Sequence, residues 1–182
     1  MNIAKEYLTQ LEERFGKTND IHKIGCEDES KPEIDVYFFE DLPEGLLTAI
    51  TLGLSNAKME EWKYASPELI ITLDTKDKGW GLCAGYFISS FFKEKLFTYG
   101  SLFSLDTPIS EESKMTSFFT FAPSFLKQDE ATFELSDRKI ILSGMYPLYS
   151  EEILLYQNIG LEEFWHLDGF DMYNVNRKNL AI

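Results

Sequence analysis

The chain has 182 residues, a length that one core can bury, and its 44% apolar content with 15 Phe, 9 Tyr and 3 Trp excludes intrinsic disorder. Its 31 acidic against 17 basic residues leave a net charge of −14, which argues against direct contact with nucleic acid or anionic lipid and favours cationic partners. Cys26 and Cys83 lie far apart and outside any Cys/His cluster, so they fit packing in a reducing compartment rather than a disulfide or a metal site.

In chain order, Ile3, Tyr7, Leu8, Leu11 and Phe15 recur at three- and four-residue steps and predict a helix over 3–15, stopped by Gly16. The same segment is charged where a signal peptide needs an apolar run, so a cytoplasmic protein is expected. An acidic loop, CEDESKPE (26–33), precedes a strand at 34–40 in which Ile34, Val36 and Phe38 point inward. The turn DLPEG (41–45) joins it to an apolar strand at 46–55, predicting a hairpin. Residues 1–44 alone hold 12 acidic and 5 basic residues, half of the chain's negative excess in a quarter of its length.

A β-branched strand follows at 68–75, and then the period changes. Trp80, Cys83, Ala84, Phe87, Ile88, Phe91 and Phe92 form a helical stripe over 78–96, and the apolar run at 80–92 is too short for the ~20 residues of a membrane span. Further strands are predicted at 101–105, 115–121, 131–136 and 138–145. Ser150 is placed to cap a helix whose first turn holds Glu151 and Glu152, with Gly160 closing it and a short helix at 161–166. With no repeat or linker, this order predicts one α+β domain over 1–182, a single mixed, largely antiparallel sheet packed with helices.

Few motifs carry chemistry. Gly53-Leu54-Ser55-Asn56-Ala57 is one residue away from the Gly-x-Ser-x-Gly elbow, and Asp74 or Asp106 followed by His166 gives the order of a hydrolase triad. Ala57 stands where close strand–helix packing needs glycine, and the only histidines are His22 and His166, which disfavours Ser55 as a nucleophile. DTKDKG (74–79) fails as a calcium loop because Lys76 and Lys78 occupy ligand positions and Gly85 stands where a bidentate glutamate belongs. The pairs Glu60/Glu61, Glu111/Glu112, Glu151/Glu152 and Glu162/Glu163 are expected on solvated faces, since adjacent residues point apart. No metal or cofactor is expected.

One ordered set of signatures spans most of the chain: TLGLSN (51–56), ELIITL (68–73), Trp80, YGSLFSLDTPI (99–109), KIILSGMYPLYSEE (139–152) and DMYNVNR (171–177). In this combination the sequence resembles the Suppressor-of-fused domain family over residues 34–182, with 1–33 adding a helix and the acidic loop. The resemblance implies that Gly-Leu-Ser ends a core strand, that Glu68-Leu69 begins the next, and that Glu151-Glu152 open the late helix. It implies binding rather than catalysis. Large eukaryotic members hold a transcription-factor peptide with the help of a second domain, whereas stand-alone bacterial relatives are similar to immunity proteins that neutralise a cognate toxin. The resemblance and the charge together lead us to expect a cationic toxin partner, such as a basic nuclease domain, met by Glu27, Asp28, Glu29, Asp41 and Glu44. A housekeeping interaction module and a hydrolase using Ser55 stand as alternatives.

Overall fold

The computed structural model describes residues 2–25, 28 and 30–182. In chain order the elements are α1 (Ile3–Phe15), β1 (Asp20–Ile24), β2 (Ile34–Glu40), β3 (Leu47–Leu52), a 3-10 turn (Leu54–Ala57), β4 (Ser66–Leu73), α2 (Gly79–Phe91), β5 (Leu102–Ser104), β6 (Ser117–Phe121), β7 (Thr132–Glu134), β8 (Lys139–Leu148) and α3 (Glu152–Trp165). The strands form one mixed sheet in the order β1-β2-β3-β4-β8-β6-β5, with β7 also paired to β8. Only β4 and β8 run parallel, and the long crossover that a parallel pair requires is supplied by the segment holding α2. This is the expected α+β class.

Strand alternation sorts the core onto two faces. Val36, Phe38, Ala49, Ile71 and Met145 face α2, together with the buried Trp80, Phe87 and Ile88 of that helix. Tyr37, Phe39, Ile50 and Leu142 face α1, which contributes Tyr7 and Leu11. Farther along the same face of β8, Tyr146 and Leu148 meet Phe119 and, from α3, Tyr156 and Phe164. Two glycines let α2 come down on the sheet. A Cβ on Gly81 would lie 2.5 Å from Ala49 Cβ, and one on Gly85 2.4 Å from Ile24 Cδ1.

Several expectations are corrected. β1 was not anticipated, because Asp-Ile-His-Lys-Ile carries too few apolar residues to signal a strand. Both faces of β2 are buried, since α1 covers the side opposite Val36 and Phe38. α2 ends at Phe91, and Phe91 is only partly buried. Ser150 is not the cap of α3: its Oγ donates to Glu151 Oε2, and Glu151 stands at the cap with no side-chain cap bond. Gly160, at φ +84° and ψ 171°, does break α3 where a helix end was expected.

Candidate protein interface

The Gly-Leu-Ser segment proves to be an anion nest filled from inside. After β3 the chain turns at Gly53, whose φ of +150° and lack of space for a Cβ (2.4 Å from Ile34 Cδ1) admit only glycine. The turn aims three backbone N–H groups at the fully buried Glu68 of β4. Gly53 N donates to Oε1 at 2.8 Å and Ser55 N at 2.9 Å, Leu54 N donates to Oε2 at 3.3 Å, and Thr51 Oγ1 donates to Oε2 at 2.8 Å. Burial raises the pKa of the Glu68 carboxyl above its ordinary value, against the pull of the Gly53 and Ser55 N–H groups. The Ser55 hydroxyl is buried and accepts from Arg138 Nη1 at 3.3 Å, while Arg138 also donates to Asn56 Oδ1 at 2.7 Å. His166 Nδ1 meets the Glu162 carbonyl oxygen, and His22 Nε2 meets Asp20 Oδ2. His166 is thus held by its own helix, and Ser55 serves the turn.

Glu152 overturns the expectation of a solvated Glu151/Glu152 face: its side chain is 0% exposed. Arg177 grips it with two donors, Nη1 to Oε1 at 2.5 Å and Nη2 to Oε2 at 2.7 Å. Leu180 N and Tyr149 N supply further bonds at 2.8 and 3.0 Å, so the carboxylate is fully served. The late Glu-Glu and Asn-Val-Asn-Arg signatures are thus one clamp, fastening the C-terminal segment to the start of α3. Cys83 is buried, and burial pushes its thiol up to about 12, so it is an inert packing residue. Among the described residues no cluster of His, Cys, Asp and Glu could hold a metal ion, and no helix is long and apolar enough to cross a membrane.

Of the five acidic residues expected to meet a partner, Glu27 and Glu29 lie outside the described residues. Asp28 is exposed and accepts from Ser30 N at 2.9 Å, and hydrogen bonds from Ser30 hold its carboxyl below its ordinary value. Asp41 and Glu44 are exposed on the β2–β3 hairpin turn, where Asp41 Oδ1 accepts from Gly45 N at 3.2 Å. The hairpin follows β2 and Asp28 precedes it, and the strand itself spans roughly 20 Å at ~3.3 Å per residue. The structure therefore brings Asp41 and Glu44 together and leaves Asp28 at the far end, where Lys31 Nζ donates to Ser89 O near the close of α2.

The hairpin end borders a cleft of mixed charge. Glu40 and Asp41 line an open cleft of about 320 Å³ with Leu46, Leu47, Thr75, Lys76 and Lys78. Lys78 is neutralised by Asp20 at 2.7 Å, and this contact, followed by the His22 bond, holds the Asp20 carboxyl down to about 2. Glu112 binds the Trp80 indole N–H at 2.9 Å and the Thr75 hydroxyl, securing the neighbouring loop. Asp77 accepts from Ser110 Oγ and from Gly79 N, so part of the rim is anchored rather than free.

The sequence profile of the Suppressor of fused protein (SUFU) family matches residues 30–178. No curated protein matches the chain in sequence. Among solved structures, the chain is similar to a SUFU homologue from Neisseria gonorrhoeae FA 1090, 16% identical over 97% of this chain and 96% of that one, with a TM-score of 0.75. It is also similar to a chain of the Sufu–Fu complex, 12% identical over 96% and 90% of the two chains, with a TM-score of 0.68. Drosophila Suppressor of Fused is 13% identical with a TM-score of 0.68, and 50% of that protein is covered by 97% of this chain. At these identities the likeness is one of fold.

Proposed function

From its membership of the Suppressor of fused protein family, which covers residues 30–178, we propose that this chain is a non-catalytic binding protein that neutralises a cationic partner, a cognate toxin such as a basic nuclease domain, by stoichiometric complex formation. The observation that carries the reading is the net charge of −14, with Asp41 and Glu44 exposed on the hairpin turn. A nuclease domain must present positive charge to phosphate, and an acidic surface steers such a domain into contact at rates beyond those of neutral encounter. Asp41 and Glu44 form the first contact. The acidic run with Glu27, Asp28 and Glu29 is the second contact read from the sequence, and of its residues Asp28 is exposed.

Ser55 supports this reading from the negative side, because its hydroxyl is engaged by Arg138 and its N–H by Glu68. The test is co-expression with the product of a neighbouring toxin gene: growth is restored by the wild type, and purified complex has one-to-one stoichiometry. Absence of rescue overturns the toxin partner. Asp41→Lys with Glu44→Lys slows association and flattens its dependence on salt; unchanged association kinetics place the contact elsewhere.

A further inference from the structure

Exposed strand edges invite another chain to pair with them, and folded proteins usually block them. Two edges of this sheet are blocked. The register of β7 on β8 turns the carbonyls of Thr132 and Glu134 outward, where Arg14 Nη1 takes the first at 2.7 Å and Gln10 Nε2 the second at 2.8 Å. β5 is only three residues long, and Lys95 Nζ donates to its Leu102 carbonyl at 3.0 Å while lying 4.6 Å from the Phe91 ring centroid and 4.8 Å from that of Phe103.

β1 differs. It has β2 on one side and, among the described residues, no strand on the other, and it is five residues long. Among the described residues the only side-chain donor to a β1 carbonyl is Thr18 Oγ1 on Asp20, at the very start of the strand. Asp20 Oδ1 accepts from Ile21 N at 2.9 Å, and among the described residues no further side chain bonds the β1 backbone. Every second residue of an edge strand turns its N–H and C=O away from its partner, so beyond Ile21 N this edge offers an open ladder.

Helix α2 roofs that ladder. Lys78 reaches Asp20 at 2.7 Å and Gly85 stands over Ile24, so the 78–85 stripe of the helix lies above β1. At 100° per residue, Leu82 and Tyr86 lie next to this stripe on its outer side. Tyr86 is 53% exposed, and on the opposite face of β1 Ile21 is 40% exposed. An added strand would find a backbone ladder with an apolar shelf above every second side chain and Ile21 beside the others.

We propose that the outer edge of β1 receives an extended segment of a partner protein, apolar at alternate positions and net positive. The apolar residues seat under Leu82 and Tyr86, and the positive charge answers the net charge of −14. That same charge opposes pairing of β1 with β1 of a second copy. The inference rests on the binding character of the proposed function but not on the toxin or on the hairpin contact.

The probe is a phage-displayed library of random 12-residue peptides, panned on the wild-type chain, with the enriched peptides synthesised and titrated by fluorescence anisotropy. Enriched peptides are expected to show apolar alternation with Lys or Arg, and Tyr86→Glu or Ile21→Lys weakens them at least tenfold with unchanged circular dichroism. Asp41→Lys leaves them within threefold at high salt, which separates this edge from the hairpin surface. Backbone N-methylation at one alternating set of peptide positions abolishes binding while the other set is tolerated, a signature of strand addition that side-chain contact alone does not give. No enrichment over an unrelated protein overturns the proposal. So do full affinity for both variants and equal sensitivity to both N-methylated sets. A chain that sediments as a dimer dissociated by Tyr86→Glu overturns the choice of occupant.

Discussion

Arg177→Met is the substitution whose cost can be worked most directly from the structure. The methionine keeps most of the apolar stem, so the loss is electrostatic. Removing the guanidinium breaks both bonds to Glu152, at 2.5 and 2.7 Å, and those to the carbonyls of Lys178 and Pro147, at 3.0 and 3.2 Å. Glu152 keeps Leu180 N and Tyr149 N but has no countercharge at 0% exposure. Stripping one partner from a buried pair typically costs about 3–5 kcal/mol, against a total stability of about 5–15 kcal/mol for a domain. Urea unfolding followed by tryptophan fluorescence measures it, with Trp165 reporting beside Tyr146 at 4.8 Å between ring centroids. The double variant Glu152→Leu with Arg177→Met removes both charges and is expected to be no less stable than either single variant. If Arg177→Met costs under about 1 kcal/mol, or if the single losses simply add in the double variant, the clamp does not hold the tail as described.

Three further outcomes follow from the core and the nest. Phe87→Ala, at 0% exposure and packed against Phe103 and Phe118, should cost about 3–5 kcal/mol by urea unfolding; a cost near zero would contradict the phasing of α2. Gly81→Ala should destabilise by about 1–3 kcal/mol, because the new Cβ lies 2.5 Å from Ala49 Cβ; a neutral result would mean that α2 can lift from the sheet. Burial raises the folded pKa of Glu68 above its ordinary 4.5, so the folded state holds the proton more tightly than the unfolded chain. Stability should therefore fall as pH rises from about 4.5 through the raised value, and Glu68→Gln should remove that part of the slope while losing bonds to the nest; parallel pH profiles for the two proteins would refute it.

The parts of the fold legible in the sequence were those in which apolar period and turn chemistry agreed. α1 and α2 announced themselves by three- and four-residue recurrence, and β2, β3 and β4 by apolar runs between turns. β1 was hidden because this edge strand only half-buries one residue in two and carries charge at Asp20 and Lys23. The strand order was equally hidden, since the parallel pairing of β4 with β8 joins segments separated by α2 and three other strands. Charge identity misled at Glu152. Adjacent glutamates look solvated, and the partner that draws one of them inward lies 25 residues later in the chain.

The hydrolase look-alike and the true structure use the same physics for different ends. A nucleophile elbow turns backbone N–H groups toward a developing oxyanion, and the turn at residues 53–55 directs three such groups at an anion too. Here the group met is the chain's own Glu68 carboxyl, fully buried in the nest where a reacting carbonyl would have to sit. Glu152 is consumed in the same way by Arg177 and the tail. Both buried carboxylates are therefore committed to fastening chain segments onto the sheet. Asp41 and Glu44, exposed on the hairpin turn, and the outer edge of β1 are the two surfaces on which the proposed recognition of another chain, by charge and by backbone pairing, is to be tested.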